Sequence, residues 1–230
     1  MDGTGSGKYR IRPSIFNSRW YCLRKLRDSF TDNVDEFIKD KNIQNLVDFG
    51  CGDMPYKSIV SPHVNSYNGV DIPANKNAGL FLNEQGIIPL GNSTADIIIS
   101  TQVLEHVPEP KEYLNEAHRV LKSKGLLIIS THGYWMYHPN PNDYWRWTSA
   151  GLKKIITESD FEIIRFKGIM GRSAMGLQLF QDGLLFKLPG FIKFLFIPLM
   201  QILIMLFDKT TSQKVRDYDA CVFIIVAQKK

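Results

Sequence analysis

Short, continuous apolar runs mark the middle of the chain. Four of them occupy residues 45–49, 67–71, 96–100 and 126–130. Runs that are apolar at every position, rather than at alternate positions, are typical of strands buried on both faces of a parallel sheet. Two further runs, at 161–166 and 220–227, also predict strands. The pattern therefore favours an α/β fold.

Apolar residues at helical spacing fill the intervals between these runs. They predict helical structure over 17–41, with a second helix that Thr31 and Asp32 would cap after a break. A later helix is expected to close at Gly125 as a C-cap, and a further helix covers 149–159.

The apolar stretch 184–207 does not fit the alternation of strands and helices. Lysines and prolines interrupt it, so it is not a clean membrane span. Three interpretations stay open: a core or dimer-forming helix, a peripheral membrane contact, and a span. The stretch belongs to a predicted apolar helical insertion at about 172–218. A membrane-facing apolar surface would suit a lipid-linked substrate.

Composition sets limits on the class of protein. A chain of 230 residues is long enough for one α/β domain with additions. The net charge of +5 lies largely near the ends and is typical of a solvated face, so no clear nucleic-acid partner is indicated. The three cysteines lack metal-ligand spacing, which favours a reducing, cytoplasmic compartment and predicts no metal site. The oligomeric state is left open.

The run at 45–49 ends in the turn Gly50-Cys51-Gly52. Glycine has no Cβ, so the chain can bend sharply and a ligand can approach the main chain. Asp71 follows 19 residues after Gly52, at the end of the next apolar run. An acid about 20 residues past a glycine turn is where ribose hydroxyls are bound in dinucleotide-type folds. These residues predict a nucleoside cofactor.

Two residues beyond the turn discriminate between such cofactors. A dinucleotide loop carries a third glycine and a helix N-terminus that is free to hold a pyrophosphate. Here Pro55 stands at the third glycine position, and the carboxylate of Asp53 would repel phosphate. A cationic ligand without phosphate fits better, and S-adenosylmethionine (SAM) is such a ligand. An NAD-type oxidoreductase is therefore the less favoured reading.

With these motifs, the chain resembles the class I SAM-dependent methyltransferases, especially the type 11 group. Residues 47–52 are similar to the first family motif, 69–71 to the second, and 101–107 to the segment after the fourth strand. The resemblance implies an α/β, Rossmann-like fold: a mostly parallel seven-stranded sheet with helices on both faces and the last strand antiparallel. An N-terminal helical segment, 1–43, would pack on or lid the cofactor end of a SAM-binding domain, 44–230.

The resemblance also implies which residues bind the cofactor. They are Asp48, Gly50, Cys51, Gly52, Asp71, Ile72, Glu84, Gln102, Val103 and His106. The family usually places an acid after its third strand to meet the adenine amino group, and the candidates for that position are Asn83 and Glu84. His106 has a second interpretation, as a hydrogen-bonded structural histidine.

Polar and aromatic residues crowd the segment 132–147, which leaves the carboxyl end of a predicted strand, where ligands bind in parallel sheets. The candidate bases for deprotonating an acceptor are His132, His138 and Asp143. The candidates for substrate binding are Tyr144, Trp145 and Arg146. Arg146 either binds a substrate anion or pairs with Asp143.

The motifs together predict a SAM-dependent methyltransferase that acts on a small-molecule, glycan or lipid-linked acceptor. The main alternative is a non-catalytic scaffold that keeps the SAM fold as a binding or membrane-associated partner. We expect a cytoplasmic protein, with peripheral membrane contact through 184–207 as one open possibility.

Overall fold

The computed structural model describes residues 7–139 and 141–230. One sheet of seven strands forms the centre of the molecule. The strands are β1 (Ile43–Phe49), β2 (Val64–Asp71), β3 (Leu80–Phe81), β4 (Ala95–Thr101), β5 (Leu121–His132), β6 (Phe161–Ile169) and β7 (Val222–Lys229).

The strand order across the sheet is β3-β2-β1-β4-β5-β7-β6. Strands β3, β2, β1, β4 and β5 pair in parallel, whereas β7 is antiparallel to both β5 and β6. The strands with continuous apolar sequence occupy the middle, where helices cover both faces. The predicted mostly parallel sheet with an antiparallel last strand is therefore confirmed.

Helices cover the sheet on two sides. They are α1 (Gly7–Ile11), α2 (Trp20–Phe37), α3 (Lys57–Val60), α4 (Pro110–Val120), α5 (Ser149–Glu158), α6 (Arg172–Leu185), α7 (Gly190–Lys209) and α8 (Gln213–Tyr218). Side chains of α2, α6 and α7 belong to one buried cluster, and those of α4 and α5 belong to another. Adjacent strand residues alternate between the clusters: Ile97 joins the first and Ile98 the second.

Two expectations about helix ends were wrong. Helix α2 runs through Thr31 and Asp32 without a break, since Phe30 and Val34 continue its buried face. Helix α4 ends at Val120 rather than at a C-cap on Gly125. Gly125 instead lies inside β5, where a Cβ would come within 3.0 Å of the Asp96 carbonyl oxygen.

The predicted apolar insertion contains α6, α7 and α8. Helix α7 is long and apolar enough to cross a membrane by length and composition, yet only 17% of its most apolar window is buried. The interpretation of 184–207 as a core helix is therefore wrong for most of α7, whereas the dimer-forming, peripheral and spanning interpretations stay predictions. The N-terminal part of the chain reaches the turn after β1, because Ile11 and Arg12 line a cavity together with Asp53 and Pro55.

Candidate cofactor and acceptor site

The turn after β1 is shaped by two glycines with positive φ angles, +75° at Gly50 and +53° at Gly52. A Cβ on Gly50 would lie 2.6 Å from a methyl carbon of Val103, so only glycine fits there. A Cβ on Gly52 would meet no described atom within 4 Å. The main chain at Gly52 therefore borders open space that a ligand can enter.

Asp71 ends β2 directly beside this turn. Its carboxylate accepts hydrogen bonds from the backbone N–H groups of Gly52 and Ile72 and from the Asn75 amide, each at 2.8 Å. Among the described residues, Ile72 alone donates to Oδ1, so this oxygen keeps an acceptor position for a ribose hydroxyl. The side chain is only partly buried. Asp71 is thus held rigidly in the place that the spacing predicted.

Asp48 and Cys51 are turned inward. The Asp48 carboxylate accepts a hydrogen bond from the Tyr67 hydroxyl, and burial raises the pKa of Asp48 to about 7. Burial also raises the pKa of the Cys51 thiol to about 12, so this sulfur stays protonated at neutral pH. Both side chains therefore lie on the protein side of the turn. Cys51 would contact the cofactor through its backbone.

The remaining predicted cofactor residues lie around the same opening. Gln102 follows β4 with a φ of +59° and donates from its amide to the Ser130 hydroxyl at 3.1 Å. Val103 packs against Gly50, and the side chain of Ile72 is exposed at the end of β2. Glu84 is exposed in the turn after β3. Asn83 accepts hydrogen bonds from the backbone within that turn, which leaves Glu84 as the freer of the two adenine candidates.

A buried acidic centre lies next to this opening, at the ends of β4 and β5. Glu105 is fully buried and accepts a hydrogen bond from the Thr131 hydroxyl at 2.8 Å. Its Oε1 lies 2.8 Å from Nδ1 of His132, in a geometry in which the N–H does not point straight at the oxygen. Burial alone would raise the pKa of Glu105, but the charge of His132 outweighs it and holds the pKa at about 2.

His138 completes this cluster from the loop after β5. Its ring meets that of His132 edge-on, with 4.8 Å between centroids, and its side chain is 34% exposed. Burial, followed by the charge of His132, lowers the pKa of His138 to about 4. The imidazole is therefore neutral at pH 7 with a free lone pair, and its low pKa makes it a weaker base than an ordinary histidine.

Asp143 and Arg146 hold His138 in place. The Asp143 carboxylate accepts a hydrogen bond from the His138 backbone at 2.8 Å and lies 3.4 Å from its Nδ1. Arg146 donates two hydrogen bonds to Asp143, at 2.7 and 2.6 Å, and others to the carbonyls of Trp135 and Met136. Hydrogen bonding to Arg146 keeps the pKa of Asp143 well below its usual range despite partial burial.

These contacts separate the predicted roles in the loop. Asp143 is a fully engaged carboxylate and so a poor base, which makes it a positioning group for His138. Arg146 pairs with Asp143, and its donors are committed to the loop rather than to a substrate anion, contrary to the first interpretation. His132 is enclosed by Glu105 and by Trp135, whose ring stacks on it at 4.8 Å.

Tyr144 and Trp145 form the outer wall of the site. Their backbone N–H groups donate to the Glu105 carbonyl at 2.8 and 3.2 Å, while both side chains are exposed. The Trp145 ring stacks on Trp147 with 5.8 Å between centroids. His106 is anchored through Nδ1 to the Asn142 carbonyl, which favours the structural interpretation of this histidine. Asn140, another polar residue of the segment 132–147, lies outside the described residues.

Spacing along the sequence did not reveal one feature of this cluster. Glu105, His132 and His138 offer donor atoms that all lie within 4.8 Å of one another, and two histidines with one carboxylate can bind a divalent transition metal. Glu105 follows β4, whereas the two histidines lie at the end of β5 and in the loop after it, so the three residues form no contiguous ligand motif. The sequence feature that could have indicated this cluster is the charged residue Glu105, which comes shortly after the apolar strand β4 and is buried.

Comparison with known proteins agrees with this geometry. The family profile described as a methyltransferase domain matches residues 22–164, more than half of the chain. The chain belongs to this methyltransferase family. The resemblance to class I SAM-dependent enzymes of the type 11 group is confirmed, and SAM is the cofactor that the family implies.

Individual relatives are more distant. The ubiquinone biosynthesis O-methyltransferase of Nitrosomonas europaea is 26% identical over 142 residues, which cover 56% of this chain and 58% of that protein. The structure of a Haemonchus contortus phosphoethanolamine N-methyltransferase 2 in complex with SAM shares the fold, with a TM-score of 0.54 and 15% identity. The alignment covers 96% of this chain and 59% of the Haemonchus chain. The [4+2]-cyclase SpnF has a TM-score of 0.55 and 18% identity, with coverage of 95% and 83%.

The residues at the opening fit SAM. The open space beside Gly52 accommodates a ligand against the main chain, and Asp71 retains an acceptor for a ribose hydroxyl. Glu84 is the candidate for the adenine amino group, and Ile72, Gln102 and Val103 are further candidates for contact with the cofactor. When bound, SAM supplies an activated methyl group on its sulfonium, and the protein supplies position and electrostatics.

Proposed function

We propose that this protein is a SAM-dependent O-methyltransferase, with His138 as the general base that deprotonates an acceptor hydroxyl. The observation that carries the proposal is a neutral, partly exposed imidazole beside the cofactor opening. A hydroxyl must lose its proton as it attacks a methyl group, and a positioned base contributes about 10²–10⁴-fold to such a step.

The protonation step follows from the ring contacts. Nδ1 of His138 faces the Asp143 carboxylate at 3.4 Å, which favours the tautomer with the proton on Nδ1. Nε2 then carries the free lone pair and accepts the acceptor's proton. The imidazolium that forms is stabilised by Asp143, in the way that a carboxylate orients a histidine base. Methyl transfer breaks the sulfur–methyl bond and forms an oxygen–methyl bond.

The acceptor class follows from the outer wall of the site. The exposed rings of Tyr144 and Trp145 present faces on which a sugar or an aromatic ring can stack. A hydroxyl on such a ring, in a small molecule, a glycan or a lipid-linked intermediate, is the acceptor we propose. The name of the Nitrosomonas relative, an O-methyltransferase, supports oxygen as the methylated atom.

The direct test incubates the protein with methyl-labelled SAM and with separate small-molecule, glycan and lipid extracts. We expect label on an oxygen of one acceptor. The variant His138→Gln should reduce the rate by about 10²-fold or more while SAM affinity stays unchanged. His63→Gln, at a histidine outside the site, is the matched control.

Four outcomes would contradict the proposal. Label on nitrogen or carbon would refute O-methylation, and full activity of His138→Gln would refute the base. Activity lost to a chelator and restored by zinc would make His138 a metal ligand instead, together with Glu105 and His132. SAM binding without transfer to any extract would favour a scaffold, since fold alone does not establish activity: SpnF has this fold and is a [4+2]-cyclase.

A further inference from the structure

Helix α7 buries two polar side chains against the protein and exposes many of its apolar side chains. Gln201 and Asp208 lie seven residues apart, on one face of the helix, and both are buried. On the opposite side Phe191 is 76% exposed and Leu195 is 73% exposed. A helix on the surface of a water-soluble domain normally shows the reverse arrangement. The medium outside α7 is therefore expected to be apolar.

Hydrogen bonds fix this orientation. The Gln201 amide donates to the Ser18 carbonyl at 2.9 Å and accepts from the Tyr21 backbone at 2.9 Å. The Asp208 carboxylate accepts from the Tyr21 hydroxyl and from the Gly171 backbone, each at 2.8 Å. Rotating α7 to bury its apolar side would leave the partners of these groups, the Tyr21 hydroxyl and the Gly171 N–H among them, buried without a hydrogen bond.

Exposed apolar side chains lie on both α6 and α7, which pack against each other, and we call this set the apolar face. It consists of Leu179, Phe180, Phe186, Phe191, Ile192, Phe194, Leu195, Leu199, Ile202, Leu206 and Phe207. Phe16, from the segment before α2, extends it by stacking on Phe194 with 4.6 Å between ring centroids. Exposed apolar patches of this kind mark binding sites for proteins or membranes.

Charge distinguishes between these two kinds of partner. Residues 183–207 contain no Asp or Glu, but they contain Lys187 and Lys193. The acids that flank the stretch are turned inward: Asp182 pairs with Arg19, and Asp208 is buried. Neither lysine has a carboxylate partner in the part of the chain that the structure describes. The apolar face therefore combines aromatic side chains with unpaired positive charge.

We propose that the apolar face docks on the surface of a lipid bilayer that contains anionic lipids. Large apolar side chains would enter the headgroup and acyl boundary, while the lysines meet lipid phosphates. In a symmetric dimer the same patch faces itself, so these lysines would meet their own copies without an acid to pair with. The bonded inner face of α7 rules out lipid contact around the whole helix, so α7 lies on the membrane and does not cross it.

The apolar face adjoins the acceptor loop. Arg19 pairs with Asp182 on α6, and its guanidinium lies 5.3 Å from the centre of the Trp135 ring, which stacks on His132. Docking would bring the loop 133–147 close to the membrane, where a lipid-linked acceptor resides. The apolar face is separate from the turn at Gly50–Gly52, so membrane binding and SAM binding can be lost independently.

The test is co-sedimentation of the full chain with vesicles of phosphatidylcholine alone or mixed with phosphatidylglycerol. We expect binding to the mixed vesicles. The double variant Phe191→Ser/Leu195→Ser should weaken binding at least about tenfold. Lys187→Gln/Lys193→Gln should weaken it about tenfold on mixed vesicles only. Tyr218→Ser, at an equally exposed aromatic residue of α8, should bind as wild type.

Unchanged thermal unfolding and unchanged SAM affinity would show that the variants are folded. Failure of the wild-type protein to bind either vesicle would overturn the proposal. A wild-type dimer that the Phe191→Ser/Leu195→Ser variant dissociates, without vesicle binding, would identify a second copy as the occupant. Retention on native membranes after an alkaline carbonate wash would mean that the chain spans the membrane, and would also overturn it.

Discussion

Alanine substitutions at the two glycines of the turn after β1 are expected to differ in their effects: one mainly lowers stability and the other mainly lowers cofactor affinity. Both have positive φ angles, so an alanine at either position costs about 1 kcal/mol in backbone strain. At Gly50 the new Cβ would also lie 2.6 and 2.7 Å from the two methyl carbons of Val103. Overpacking of this kind lowers the stability by about 1–3 kcal/mol more.

Gly50→Ala is therefore expected to lower the free energy of unfolding by about 2–4 kcal/mol, and Gly52→Ala by only about 1 kcal/mol. Cofactor binding should respond differently. The Cβ at Gly52 would project into open space, which we assign to SAM. Gly52→Ala should thus lower SAM affinity by about tenfold or more, since a methyl group there costs at least about 1.4 kcal/mol in contact with the ligand.

Urea unfolding followed by far-ultraviolet circular dichroism measures the first quantity, and calorimetric titration with SAM measures the second. The double variant Gly50→Ala/Val103→Ala is the control, because removing the valine methyl groups should recover part of the loss caused by Gly50→Ala. Wild-type SAM affinity in Gly52→Ala would refute the assignment of the open space. Equal stability of the two alanine variants would refute the steric argument at Gly50.

Three further predictions concern the pH response, the candidate base and the helix after the acceptor loop. Burial raises the pKa of Asp48 from 3.8 to about 7, so folding favours its protonated form. The stability that this group contributes is complete below about pH 4 and is lost as the pH rises through 7. Asp48→Asn should reduce that loss, as measured by urea unfolding between pH 4 and 8. An Asp48→Asn protein with the wild-type pH dependence would contradict this cause. The ring protons of His138 should titrate near pH 4 in NMR spectra, because burial and the charge of His132 oppose protonation. A midpoint near 6.5 would contradict this effect of the surroundings on the His138 ring. The Thr148 side chain accepts a hydrogen bond from the Gly151 N–H and caps α5, so Thr148→Ala should cost about 1 kcal/mol of stability, whereas Thr148→Ser should cost little.

The features that the sequence predicted are those encoded by neighbouring residues. The continuous apolar runs located the strands, and the spacing from Gly52 to Asp71 placed both at the opening, where they form a 2.8 Å hydrogen bond. Helix ends were less predictable. Gly125 resembles a C-cap locally, but close packing against Asp96 inside β5 decides its role.

Contacts between distant segments could not be read from spacing. Glu105 and His132 are 27 residues apart and meet only because β4 and β5 are neighbours in the sheet. The orientation of α7 depends on bonds from Gln201 and Asp208 to Tyr21, about 180 residues earlier in the chain. The seven-residue interval between Gln201 and Asp208 was the local signal that one side of this apolar helix is polar.

Calorimetric titration of the wild-type protein and of Asp71→Ala with SAM, with its demethylated product and with NAD tests the central claim most directly. The account predicts that the wild-type protein binds SAM and its product but not NAD, and that Asp71→Ala loses that binding while staying folded. Binding of NAD, or unchanged SAM affinity in Asp71→Ala, would contradict the assignment of this opening as a SAM site.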